Sequence, residues 1–395
     1  MTSSLSGLRI LDLTRVLVGP YATMILADLG AEVIKLEMPG HGDDARQYPP
    51  HVNGESAYFM SLNRNKRSMT LNLKSETGKE LFLDLIQNVD VLVENFRPGT
   101  MERLGLGYET LKQLNPGLIY AAASGFGQTG PYSSQPAYDG VVQAMGGIMS
   151  ITGQLGGEPT RVGTSIGDIA AGLFTAVGIL AAAIHRDKTG LGQMVDVAML
   201  DCQVALLENA IARYTAAGEV PGPIGNRHPS ITPFEPFATS DGQLMVAVGN
   251  NRMWARFCEA MESPQLASDP RFTTNALRTS NYEELRPLIA SAMITKSTAE
   301  WVFILESARV PHGPINSVDK VVADPQVLAR EMVVDVEHPV AGLTQLPGIP
   351  IKMDVTPGEI NLPAPLLGQH TQEILSGLLG YDAEKIARLE EEDIF

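Results

Sequence analysis

One carboxylate in this 395-residue chain stands where it could act as a nucleophile. The glycine-dotted turn Gly163-Thr164-Ser165-Ile166-Gly167 leads into Asp168, which opens a run from Ile169 to Ile184 with almost no polar side chains and no proline. Rich in Ala and Leu, that run reads as a helix buried on nearly every face. A carboxylate at its mouth meets free backbone N–H groups and the positive end of the helix dipole, so Asp168 is expected to be ionised. Asp is also an ordinary helix cap. The glycines before it are what point to a ligand: Gly163 and Gly167 allow close backbone approach, and their N–H groups could face an oxyanion.

A second set of candidates is basic. Arg64, Lys66, Arg67, Lys74, Lys79, Arg97 and Arg103 crowd between Met60 and Gly105. Several fall at strand ends or strand-to-helix turns, where a phosphate-rich ligand would lie. Elsewhere the balance is acidic: a net charge of -16 excludes non-specific binding to nucleic acid or to an anionic membrane surface. The apolar run after Asp168 is shorter than the roughly 20 residues of a membrane span and ends in His185-Arg186-Asp187-Lys188, so a core helix is expected. Cys202 and Cys258 form no metal-ligand spacing and no disulfide framework, which fits a reducing cytoplasm and two inert buried thiols. The first residues, MTSSLSGLRILDL, lack the basic and apolar regions of a signal peptide, and a cytoplasmic location is expected.

The elements that must carry these residues alternate. LRILDL (8–13), a helix 21–29 after Gly19-Pro20, a stop at Gly30 and an apolar run 32–36 make a βαβ unit. Strands at 68–73, 89–94 and 118–124 and a helix at 76–88 continue it into a doubly wound α/β sheet. The loop Val16-Leu17-Val18-Gly19 lacks GxGxxG, which argues against a dinucleotide oxidoreductase, yet it lies at the carboxyl end of a strand, where ligands of such sheets bind. Residues 125–157 form a long glycine-rich passage of the kind that carries function. GEVPGPIGNRHPSITP marks a boundary, and ATSDGQLMVAVG beyond it reads as a hairpin turning at Asp241-Gly242.

Seven separated stretches in consistent order resemble the class III CoA-transferases: LRILDLTRVLVGPYATMILADLGAEVIKLE, NRNKRSMTLNLK, VDVLVENFRPG, GFGQTGPYS, GDIAAG, KTGLGQMVDVAML and APLLGQHTQEIL. The resemblance implies a Rossmann-like large domain built from both chain ends and a smaller α+β domain. The expected division is 1–217, the large CoA-binding and catalytic domain; 218–236, a linker; 237–324, the small domain; and 325–395, a linker and C-terminal return. It also implies a homodimer of two interlocked rings, and transfer of CoA from an acyl-CoA to a free carboxylic acid, with the CoA thioester as substrate and no resident cofactor or metal.

By the same resemblance Asp168 is the nucleophile. Val16, Leu17, Leu71, Lys74, Asn95, Phe96, Arg97 and Arg103 surround CoA, and Tyr138 borders the acyl pocket. Arg46, Arg64 and Arg227 are candidates to meet a distal carboxylate, and His228 is a candidate pocket residue in the boundary loop. The related α-methylacyl-CoA racemases carry a His-Asp pair where this chain has Tyr138-Asp139; a tyrosine with a pKa of about 10 is a poor base at neutral pH, which disfavours an isomerase. An intact GDIAAG argues against a non-catalytic CoA-binding homologue. Met38 stands where some relatives have a phosphate-binding cation, and GNRHPSITP replaces the glycine run of formyl-CoA transferases, which argues against oxalate. Succinate, malate, glutarate or mesaconate are the expected acids, with succinyl-CoA the preferred donor.

Overall fold

A computed structural model of the chain describes residues 3–395. It divides into two compact units. The first takes in the described residues through Ile148, then Arg161–Gly218 and Gln326–Phe395.

In the first unit, β1 (Arg9–Asp12), α1 (Val18–Asp28) and β2 (Glu32–Glu37) are followed by β3 (Lys66–Thr70), α2 (Glu76–Ile86), β4 (Val91–Glu94) and β5 (Ile119–Ser124). Then come α3 (Asp139–Met145), α4 (Ile166–Thr189) and β6 (Met194–Ala198). The strands form one parallel sheet in the order β3-β2-β1-β4-β5-β6. Both faces are covered, so β4 and β5 are buried at every position, as unbroken apolar strands in parallel sheets are. Helix α1 starts three residues earlier than the sequence reading placed it, because Pro20 sits in its first turn, where no N–H is needed. The chain's end returns to the sheet edge: Gly368 N–H donates to Ser68 Oγ at 2.9 Å and Asn72 N–H to the Ile394 carbonyl at 2.8 Å.

Helix α4 packs along α1 and strands β5 and β6, but it is not buried on every face as expected. Leu173, Phe174, Val177 and Ile184 stay 44–61% exposed, because none of the described residues covers that side.

The second unit comprises Met149–Thr160 and Glu219–Pro325. A three-stranded antiparallel sheet, β7 (Phe234–Ala238), β8 (Gln243–Ala247) and β9 (His312–Pro314), packs on helices through Trp254, Phe257, Phe272 and Trp301. The expected hairpin at Asp241-Gly242 joins β7 to β8. Two expected boundaries move. Residues 149–160 fall in the second unit, where Gly225 N–H binds the Gly153 carbonyl at 2.9 Å, and all of the expected linker 218–236 but Gly218 belongs to the second unit and already contains the start of β7.

Candidate active site

Strand order reverses at β1, whose neighbours β2 and β4 belong to opposite halves of the sheet. Loops leaving adjacent strands diverge at such a point and open a crevice at their carboxyl ends. Two cavities lie there. The larger, about 420 Å³, is lined by Leu13, Leu36, Leu71 and Phe96 with the exposed cations Lys74 and Arg103. The smaller, about 270 Å³, is lined by Val16, Leu17, Asn95, Arg97, Tyr138 and Asp168, and shares Arg15 and Phe96 with the larger.

Asp168 sits in the first turn of α4, and no hydrogen bond reaches its carboxylate among the described residues. Burial, and secondarily the neighbouring Asp139, push it up to about 7. The expectation of a fully ionised group is therefore corrected: the helix N-terminus favours the anion, but removal from water and a second carboxylate oppose it. Asp139, buried at the start of α3, accepts from Gly167 N–H at 2.9 Å and from Gln143 Nε2 at 2.7 Å. Gln143 in turn accepts from Val162 N–H at 2.8 Å, so α3 anchors the turn that carries Asp168. Gly167 is thus not an oxyanion donor as expected. Its N–H is taken by Asp139, and it must be glycine because a Cβ would lie 2.7 Å from Val142.

These positions predict an acid limb. If the Asp168 anion is the reacting form, kcat/KM rises with pH through about 7 and falls roughly tenfold per unit below it. Asp139→Asn, which keeps an acceptor for Gly167 and removes the second charge, is expected to move that limb to lower pH. A limb unmoved by the variant would show that Asp139 does not set the ionisation of Asp168.

The basic crowd between Met60 and Gly105 separates into two groups. Lys66 is buried on Asp12 and Arg64 on Asp28, while the half-exposed Arg67 pairs with Glu32 and Glu373 and Lys79 with Glu76. Lys74, Arg97 and Arg103 form no ion pair among the described residues, and these three line the cavities. The expected carboxylate-binding arginines divide likewise. Arg46 is bound through Nε and Nη2 to Glu37 at 2.7 Å and stacked on Phe59 at 3.7 Å, so it braces the loop below the site instead of lining a pocket. Arg64, buried against Asp28 and the Pro347 carbonyl, is likewise structural. Arg227, in the second unit, stands over the Tyr282 ring at 4.0 Å with a buried Nε that has no hydrogen-bond partner among the described residues. His228 accepts from Ser230 N–H through Nδ1 at 3.0 Å and packs on Phe234, holding its own loop. Met38 lines the larger cavity with an apolar side chain.

Three residues beside the site were missed by sequence reasoning. Arg15 lines both cavities, over the Phe96 ring at 5.4 Å, and its place directly after β1 was the available signal. Tyr58 is pushed up to about 12 by burial and by the Asp168 charge, so its phenol stands within reach of that carboxylate's field. Asp43 is buried and binds the backbone of the loop after β1. Nothing in the sequence spacing marked either of the last two.

Known proteins match this arrangement along the whole chain. The profile described as CoA-transferase family III matches residues 5–371. The chain is 42% identical over 386 residues to the succinyl-CoA:glutarate CoA-transferase of Homo sapiens, covering 98% of this chain and 88% of that one. It is 45% identical over 348 residues to the acetyl-CoA:oxalate CoA-transferase of Acetobacter aceti, 88% of each. The crystal structure of a CaiB/BaiF family protein from Brucella suis superposes with a TM-score of 0.85 at 38% identity, covering 96% of this chain and 100% of that one.

Proposed function

Because the chain belongs to CoA-transferase family III, we propose that it moves CoA from succinyl-CoA, or a similar dicarboxylyl-CoA, to a free dicarboxylic acid, with Asp168 as nucleophile. The observation that carries this reading is Asp168 itself. Its carboxylate, unpartnered among the described residues, lines a cavity that shares Arg15 and Phe96 with a larger cavity holding the unpaired cations Lys74 and Arg103. The larger cavity suits the nucleotide end of CoA, with an apolar wall for a base and cations for phosphates. The smaller suits the thioester.

A carboxylate oxygen of Asp168 attacks the thioester carbonyl; the C–S bond breaks and CoA thiolate leaves with the electron pair, giving a mixed anhydride. The thiolate attacks the Asp168 carbonyl carbon, the anhydride C–O bond breaks and the donor carboxylate departs, leaving an aspartyl-CoA thioester. The acceptor carboxylate attacks that carbonyl, again expelling thiolate. Thiolate then attacks the acceptor's carbonyl in the new anhydride, freeing Asp168 and the new acyl-CoA. Four acyl transfers balance with no net proton change.

We also propose an interlocked homodimer. The uncovered apolar side of α4 supports it, together with Val204, Leu206, Ile211 and Tyr214, which are 39–57% exposed on the helices that follow. Apolar area of that kind marks a surface for association.

Purified protein mixed with succinyl-CoA and a panel of acids (glutarate, malate, mesaconate, oxalate, and a monocarboxylate) is expected to yield new dicarboxylyl-CoA esters by mass spectrometry, and to sediment as a dimer. Oxalate belongs in the panel because of the Acetobacter relative, although GNRHPSITP replaces the glycine run. If no acid is esterified and the protein instead exchanges the α-proton of a 2-methylacyl-CoA, the isomerase reading replaces this one.

A further inference from the structure

Val16 lies in the left-handed region, φ 67°, and is the β-branched member of the non-glycine residues found there among those described. A β-branched side chain crowds its own backbone in that conformation and holds it only when the surroundings over-determine it. The surroundings here are side chains from four directions. Thr14 N–H donates to Asp12 Oδ1 at 2.9 Å, and the Thr14 carbonyl accepts from Lys35 Nζ at 2.9 Å. Arg15 N–H donates to Asn95 Oδ1 at 2.8 Å, and its carbonyl accepts from Asn95 Nδ2 at 2.7 Å. Val16 N–H donates to Asp43 Oδ1 at 2.9 Å.

Asp43 is itself fixed. Its side chain is fully buried, its other oxygen is 2.9 Å from Lys35 Nζ, and its own N–H donates to Glu37 at 3.0 Å. Although burial works against the anion, Lys35 and the amides of Ala45 and Val16 hold the carboxyl below the usual range. Directly after Val16 come Leu17, which begins α1 without a side-chain cap, and Val18. Both line the cavity that contains Asp168. The two helices meet closely there, since a Cβ on Gly172, one turn beyond Asp168, would lie 2.8 Å from the Val18 carbonyl.

We propose that Asp43 is a positioning residue for acyl transfer: by holding the Val16 peptide left-handed, it fixes the Val16–Val18 wall of the cavity that Asp168 also lines. This rests on the transferase reading above. Misplacing one wall of a reacting site by about 1 Å costs on the order of 10²-fold in rate. Asp43→Ala is therefore expected to lower kcat by about that factor, while KM for the acyl-CoA moves less than about threefold because Lys74 and Arg103 are untouched. Asp43→Asn, which keeps the acceptor, is expected to stay within about fivefold of wild type.

The deciding variant adds Val16→Gly to Asp43→Ala. Glycine adopts a positive φ without being held, so the double variant is expected to recover at least tenfold of the lost kcat. Because a glycine at a left-handed position also relieves backbone strain, kcat is taken per folded enzyme, at a temperature where urea unfolding shows both variants fully folded, so that a gain in stability alone leaves it unmoved. If Asp43→Ala does not fold because Lys35 is left without its partner, Lys35→Met/Asp43→Ala with and without Val16→Gly gives the same comparison. A double variant no faster than its parent, beside an active wild type, overturns the positioning role; a wild type that transfers no CoA overturns the transferase reading and this one with it.

Discussion

Asp168→Ala is expected to lower CoA transfer by on the order of 10⁴-fold or more, as loss of a covalent nucleophile does. Asp168→Asn should do the same, since it keeps the shape of the side chain and removes the attacking anion. Intact-protein mass spectrometry checks the mechanism directly: wild type incubated with succinyl-CoA should gain the mass of a CoA thioester, and neither variant should. A variant that retains even a hundredth of the rate would place the nucleophile elsewhere. The same group works against stability. Its folded pKa is raised to about 7, above the usual carboxylate value, so the anion is tolerated less in the fold than in the unfolded chain. That penalty grows as pH rises from about 4 to 7 and is complete above it. Asp168→Asn is accordingly expected to melt higher than wild type at pH 8, with the difference vanishing in acid.

The second large effect lies beneath the site. Lys66 Nζ is fully buried between Asp12 Oδ2 at 3.0 Å, Asn63 Oδ1 at 2.9 Å and the Pro20 carbonyl at 3.0 Å. Burial pulls the amine down to about 8, still protonated at neutral pH. Against the upward pull of burial, Lys66 and then Lys35 hold Asp12 at about 2. Lys66→Met is expected to cost about 3–5 kcal/mol in urea unfolding at pH 7, because it strands the Asp12 carboxylate without its partner. Adding Asp12→Asn should restore part of that loss, since the unpaired charge is then gone. If the double variant is less stable than Lys66→Met, the cost comes from packing and not from the stranded ion.

These two residues also mark how far the sequence could be read. The strand and helix alternation was legible because parallel strands with both faces covered are apolar throughout, whereas the glycine before Asp168 was read as a ligand approach and is instead required by packing on Val142, its N–H held by Asp139. Lys66 and Arg64 misled. In sequence they look like Lys74 and Arg103, and only partners 54 and 36 residues away, Asp12 and Asp28, tell a buried ion pair from a free cation. Arg46 misled for the same reason, its partner Glu37 being reached only through the fold of the loop. The left-handed Val16 left no trace at all, since valine is the wrong residue for that conformation and Asp43 holds it by a tertiary contact. The open side of α4 was read as buried because apolar composition does not say whether the cover comes from the same chain.

The return of the chain's end to the first sheet bears on the order in which the protein can be made. Strand β3 takes bonds from Gly368 and the backbone just after it bonds to Ile394, so the sheet's outer edge stays unfinished until residues 368–394 have left the ribosome. The second unit's span closes at Pro325, while Gln326–Phe395 are still being synthesised. A nascent chain can therefore complete its smaller unit first and hold all six strands of the sheet without the segment that finishes its edge, an interval in which a stalled or truncated product is most exposed to proteases and chaperones.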